Sequence, residues 1–190
     1  MQKIYTICRM LFLIIIIGLF ISSYSLADSD ISSVKDIIEK ANTGDIDAQF
    51  NLGTMYYKGQ GVKQDYHKAF EWITKAANQG NAAAQFNLGV MYINGHGVRQ
   101  DYHKAVEWYT KAANQGYVKA QYNLGIIYYK GQGVKQDYHK AKDFFSKACD
   151  NGLQMGCDRY RELNKNSSDK PLDNEDFVKT PLIIDVPDKL

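Results

Sequence analysis

Three histidines, His67, His103 and His139, stand 36 residues apart, each inside the same string Asp-Tyr-His-Lys-Ala. Three convergent imidazoles would make a metal site, with every ligand within about 2.1 Å of the ion. Identical positions in identical strings imply three stacked helices instead, and stacked helices lie ~8–10 Å apart. The three histidines are therefore expected to be exposed and to bind no common metal. Glu71, Glu107 and Asp143 recur at the same interval and do not form the carboxylate pair that acid–base chemistry uses. Ser32-Ser33-Val34-Lys35 sets a nucleophile one helical turn from a base. Enzymes built on that string need further Ser and Lys motifs on a mixed α/β fold, which this sequence lacks, so Ser32 or Ser33 is expected to cap a helix. His96 takes the loop position held elsewhere by Gln60 and Gln132 and is expected to be solvated. No catalytic residue, metal or cofactor is expected.

The elements that carry these residues are units of a repeat. Segments 45–80, 81–116 and 117–152 align without a gap; the first two agree at 26 of 36 positions, and 18 positions are the same in all three. In each unit Ala48, Leu52 and Tyr56, or their equivalents, recur at helical spacing and predict a first helix with an apolar stripe. Gly59 and Gly61 stop it, because glycine enters the left-handed region at a helix end without a Cβ penalty. Val62 is the apolar plug of a polar loop, and Asp65 is placed to cap the second helix. Ala69, Trp72, Ile73 and Ala76 share one face of that helix, which Gly80 ends. Gly53, Ala69 and Ala76 are small where the paired helices must meet.

The flanks are half-units. Residues 28–44 form an N-terminal half-repeat cap, of which 32–44 match a second-helix half, with Ile37, Ala41 and Gly44 at the positions of Ile73, Ala77 and Gly80. Residues 153–163 match a first-helix half, but Tyr160 and Arg161 replace the repeat Leu and Gly. A charge where the next helix would dock is expected of a terminal cap. Eight helices in a row follow. Residues 164–190 are polar, hold all three prolines (Pro171, Pro181, Pro187) and predict a disordered tail. Within it, Leu182-Ile183-Ile184 is suited to docking as an extended strand.

Residues 1–27 stand apart: Lys3 and Arg9, an apolar run from Leu11 to Ile21, then Ser25-Leu26-Ala27. That is the pattern of a cleavable signal peptide, cut after Ala27, with a run too short for the ~20 residues that span a bilayer. The chain is expected in the periplasm or outside the cell, with no stable membrane insertion after cleavage. The whole chain has 23 Lys+Arg against 21 Asp+Glu. Removing the two basic residues of the signal leaves a neutral protein, which gives no reason to expect nucleic acid or an anionic membrane as partner. Cys8 leaves with the signal; Cys149 and Cys157 remain, the even number that a disulfide in an exported chain requires.

The string Ala-Gln-x-Asn-Leu-Gly-x-x-Tyr-x-x-Gly-x-Gly-Val-x-x-Asp-x-x-Lys-Ala, then Lys-Ala-Ala-Asn-Gln-Gly, resembles the Sel1-like repeats, relatives of tetratricopeptide repeats, over about 45–163. The resemblance implies an all-α fold, an α-solenoid of antiparallel helix pairs in a right-handed superhelix with the first helices on the inner surface. It also implies a binding or adaptor role. Lys147-Ala148-Cys149-Asp150-Asn151-Gly152 with Gly156-Cys157 resembles the cysteine-rich Sel1-like proteins secreted by helicobacters, which implies a Cys149–Cys157 disulfide. The other junctions carry Ala77/Gln85 and Ala113/Gln121, so the two positions are expected to be neighbours in space.

Function is then expected on the first helices. Phe50, Phe86 and Tyr122, Thr54, Val90 and Ile126, and Tyr57, Ile93 and Tyr129 form an apolar and aromatic stripe beside Asn51, Asn87 and Asn123. The stripe suits an extended peptide or helix of a protein partner, or alternatively packing between neighbouring first helices. The row of asparagines could hydrogen-bond a partner's backbone or fill gaps between repeats. The leading expectation is an exported, non-catalytic interaction scaffold. The alternative, implied by the cysteine-rich subgroup, is an enzyme acting on cell-wall material or penicillin-like ligands.

Overall fold

The computed structural model describes residues 34–165 and 181–184. The expected signal peptide, Ser32 and Ser33, and most of the tail lie outside the described residues. Among the described residues every regular element is helical: α1 (34–42), α2 (Ile46–Lys58), α3 (Tyr66–Asn78), α4 (Ala82–Asn94), α5 (Tyr102–Asn114), α6 (Val118–Lys130), α7 (Tyr138–Asp150) and α8 (Gln154–Lys165). The last helix runs two residues past 163. Consecutive helices pack on one another from α2 to α8, the one-dimensional stacking of a solenoid.

The helix boundaries are set by side chains. Asp65, Asp101 and Asp137 are extended N-caps whose carboxylates accept the N–H of Lys68, Lys104 and Lys140 at 3.1, 3.0 and 3.0 Å, relieving orphan donors. Asp45 and Asn81 do the same for α2 and α4, accepting from Ala48 and Ala84. Tyr117 begins α6 without a side-chain cap. The first helices end on Gly59, Gly95 and Gly131 at φ 72°, 69° and 68°, the left-handed region expected there.

Close approach within each pair needs a glycine. A Cβ on Gly53 would stand 2.6 Å from Ile73 Cγ1, and one on Gly89 2.6 Å from Tyr109 Cδ1; on Gly125 it would stand 2.6 Å from Phe145 Cε1. The second-helix residue therefore lies directly on the first-helix backbone and is fully buried in all three repeats. Neighbouring repeats are pinned by buried glutamines. Gln49, Gln85 and Gln121 donate to the carbonyls of Ala41, Ala77 and Ala113, while Gln79, Gln115 and Asn151 donate to those same glutamines at 2.7–3.0 Å. The side-chain amides of these buried glutamines thus have partners on both their oxygen and their nitrogen, as low-dielectric surroundings demand.

The two helix classes differ in environment. Second helices bury one face, as Ala105, Tyr109, Ala112 and Ala113 do in α5, whereas α4 is buried from Ala84 through Ile93. On the second helices Lys75 and Lys111 lie 3.7 Å from the ring centres of Trp72 and Trp108, covering half-buried indole with a cation that favours the ring face.

Candidate partner-binding site

The first-helix residues converge on one layer. Phe86 and Tyr122 are fully buried; Phe86 packs against Tyr109 and Tyr117 with ring centres 5.5 and 5.1 Å apart, and Tyr122 against Phe145 at 5.6 Å. Phe50, Ile93 and Tyr129 are buried, Val90 and Ile126 fully so, while Asn51 and Thr54 are half-buried. The aromatic rings therefore form the floor of the layer. They fill the space that the glycines leave between paired helices.

Residues 181–184 lie on this layer. Leu182 and Ile183 are half-buried against both apolar clusters, the one containing Phe86, Val90 and Leu124 and the one containing Tyr122, Ile126 and Tyr129. The Ile183 N–H donates to Asn123 Oδ1 and the Asn123 amide donates to the Ile183 carbonyl, both at 2.8 Å. One side chain thus reads both backbone groups of one residue, as a neighbouring strand would. Of the tail, residues 181–184 are described, and there Leu182 and Ile183 find an apolar floor while the Ile183 backbone finds a carboxamide.

Asn87, one repeat back, is also fully buried, yet neither its Oδ1 nor its Nδ2 has a hydrogen-bond partner. An unpaired buried amide costs ~1–3 kcal/mol, so the two equivalent asparagines stand in opposite states. Tyr57 is half-buried, which pushes its phenol pKa up, with nearby Tyr66 adding to the rise. Its hydroxyl pairs with His96 Nδ1 at 2.9 Å, and the His96 ring stacks on Tyr66 at 4.3 Å. His96 is thus a bridge between repeats and not the solvated loop residue expected. The signal in sequence was its departure from the Gln of the other two loops. Burial raises the Tyr109 phenol pKa strongly, which keeps that ring neutral in the floor.

His67, His103 and His139 are exposed on the first turns of α3, α5 and α7. Among the described residues no group of three or more His, Cys, Asp or Glu is arranged to hold a metal, and no helix is long and apolar enough to cross a membrane.

At the far end Cys149 and Cys157 form a disulfide with Cα atoms 4.5 Å apart. Cys157 stands where Gln85 and Gln121 stand in the earlier junctions, and Cys149 where Ala77 and Ala113 stand. The covalent bond joins α7 to α8 where a hydrogen bond from the glutamine serves the others.

A model of the Sel1 repeat matches residues 46–81, 82–117 and 118–153, one residue out of step with the units read from the glycines. The chain belongs to the Sel1 repeat family. Its fold matches the crystal structure of a Sel1 repeat protein from Oxalobacter formigenes at TM-score 0.64 and 38% identity, over 68% of this chain and 98% of that one. It matches c5321, a protective antigen of uropathogenic Escherichia coli strains with an SLR fold, at TM-score 0.64 and 33% identity, over 72% and 33% of the two chains. The Helicobacter pylori cysteine rich protein B matches at TM-score 0.54 and 26% identity, over 66% and 96%. A putative sel1-like repeat-containing protein of Acanthamoeba polyphaga mimivirus is 56% identical over 36 residues, which span only 6% of its length.

Proposed function

We propose that this Sel1 repeat protein is an exported, non-catalytic scaffold that holds an extended peptide segment of a protein partner on its first-helix face. The observation that carries the reading is the paired 2.8 Å contact between Asn123 and the backbone of Ile183. Recognition of main chain by a fixed carboxamide supplies affinity without sequence, and the apolar floor beside it supplies preference for aliphatic side chains. Asn51, Asn87 and Asn123 are the backbone-reading row. Phe50, Phe86 and Tyr122 shape the floor, with Tyr57, Ile93 and Tyr129 at the helix ends. Export is supported by the Ser25-Leu26-Ala27 pattern and by the disulfide, which persists in oxidising compartments.

The test compares capture of partners by immobilised wild-type chain and by Asn87→Leu with Asn123→Ala. Capture should be lost in the double variant while a His67→Ala, His103→Ala control retains it. Equal capture by all three would place the binding surface elsewhere.

A further inference from the structure

The segment on the first-helix face belongs to the chain itself, and what it leaves unfilled matters as much as what it fills. Asn123 is paired by Ile183 through both its amide oxygen and its amide nitrogen, and Leu182 and Ile183 cover apolar floor, but Ile184 is 53% exposed. One repeat away the Asn87 amide is fully buried with both polar atoms unpaired. The segment therefore satisfies one rung of a row built for more. Pro181 contributes no N–H, so the segment needs no partner for a donor at that position. The 15 residues between Lys165 and Pro181 can reach up to about 50 Å when extended, enough for the end of α8 to feed its own groove.

We propose that Pro181–Ile184 is a tethered self-ligand that occupies the groove until a partner displaces it. The displacing partner is a peptide of the same chemistry: extended, with two adjacent branched aliphatic side chains, and long enough to hydrogen-bond Asn87 as well as Asn123. This rests on the first-helix face being the binding surface. A tether holds its ligand at an effective concentration in the millimolar range. A free peptide bound through Asn123 alone is therefore excluded, and the second rung at Asn87 gives the longer peptide its advantage. The groove is closed to weak or short ligands and open to those that engage two repeats.

The experiment uses the full chain and a fluorescent peptide carrying residues 178–187, followed by anisotropy. Wild type should bind it at least tenfold more weakly than the Leu182→Asp, Ile183→Asp variant, whose own tail is released. Adding Asn123→Ala to that variant should abolish binding, with thermal melting confirming that the helical array stays folded. Equal binding by wild type and the released variant, lost on Asn123→Ala, would overturn the self-ligand while leaving the groove intact. Binding that survives Asn123→Ala, or no binding by a folded released variant, would overturn both. Light scattering completes the test. A concentration-dependent dimer that Leu182→Asp, Ile183→Asp dissolves would put the tail in a second copy and overturn the tethered form.

Discussion

Replacing Asn87 by Leu should stabilise the protein, because the native side chain is fully buried with both amide atoms unpaired. Each buried polar group left without a partner costs ~1–3 kcal/mol, and Leu is close to Asn in length while carrying no polar atom. Allowing for ~1 kcal/mol of strain from a near-isosteric swap in a packed layer, the net gain is up to about 2 kcal/mol. For a domain of this size that raises the melting temperature by up to roughly 8 °C, read by circular dichroism on the oxidised protein. Asn123→Leu should do the opposite, since it removes both hydrogen bonds to Ile183 and frees the tail segment to proteases. The stabilised variant should bind partners less well, the trade-off of a site whose polar groups wait for a ligand. An Asn87→Leu protein that melts 3 °C or more below wild type would show that Asn87 is paired in solution, and the unfilled rung would vanish.

Gly89→Ala gains about 1 kcal/mol of helix propensity but sets a Cβ 2.6 Å from Tyr109 Cδ1, and overpacking costs ~1–3 kcal/mol. A net loss of up to about 2 kcal/mol is expected in urea titration, and a midpoint raised above that of wild type would mean the helix pair has slack. Reducing the Cys149–Cys157 bond, which closes a separation of 8 residues, should cost about 2.5 kcal/mol on the loop-entropy model. Hydrogen exchange should then rise first in α8, whereas an even rise along the array would contradict the staple. Asp65 is held below its ordinary value of 3.8, chiefly by the Lys68 N–H it accepts; desolvation pushes the other way less strongly than that bond, and the His67 N–H adds a smaller lowering. The folded state binds this proton less readily than the unfolded chain, so its contribution is complete above 3.8 and is lost as pH falls through the lowered folded value. Asp65→Asn keeps a capping oxygen and should flatten the acid limb of the stability–pH curve; an unchanged slope would remove Asp65 from that limb.

Much of the architecture was legible because each repeat carries its own punctuation. Asp65, Asp101 and Asp137 cap where expected, and Gly59, Gly95 and Gly131 turn left-handed where expected. Cys149 and Cys157 meet because their equivalents, Ala77 with Gln85 and Ala113 with Gln121, are hydrogen-bonded neighbours. The site was less legible because sequence spacing assigns a face, not what lies on it. Phe86 and Tyr122 fit either a groove or a core by pattern; the rings of Tyr109 and Phe145, admitted by Gly89 and Gly125, bury them as a floor. Leu182–Ile184 was recognisable as dockable, but its register on Asn123 depends on contacts about 60 residues away in the chain. His96 was misread because its partners, Tyr57 and Tyr66, sit in the preceding repeat.

The claim that the first-helix face reads peptide backbone through its asparagines can be tested at those side chains. In the full-length Leu182→Asp, Ile183→Asp variant, the side-chain amide signals of Asn51, Asn87 and Asn123 are followed by nitrogen–proton NMR while a peptide of residues 178–187 is added. The account predicts saturable shifts at Asn123, the rung this segment pairs, with Asn78 and Asn114 at the ends of the second helices α3 and α5 unmoved. Shifts confined to Asn78 and Asn114, or an Asn123 signal that stays still while the peptide binds, would contradict it.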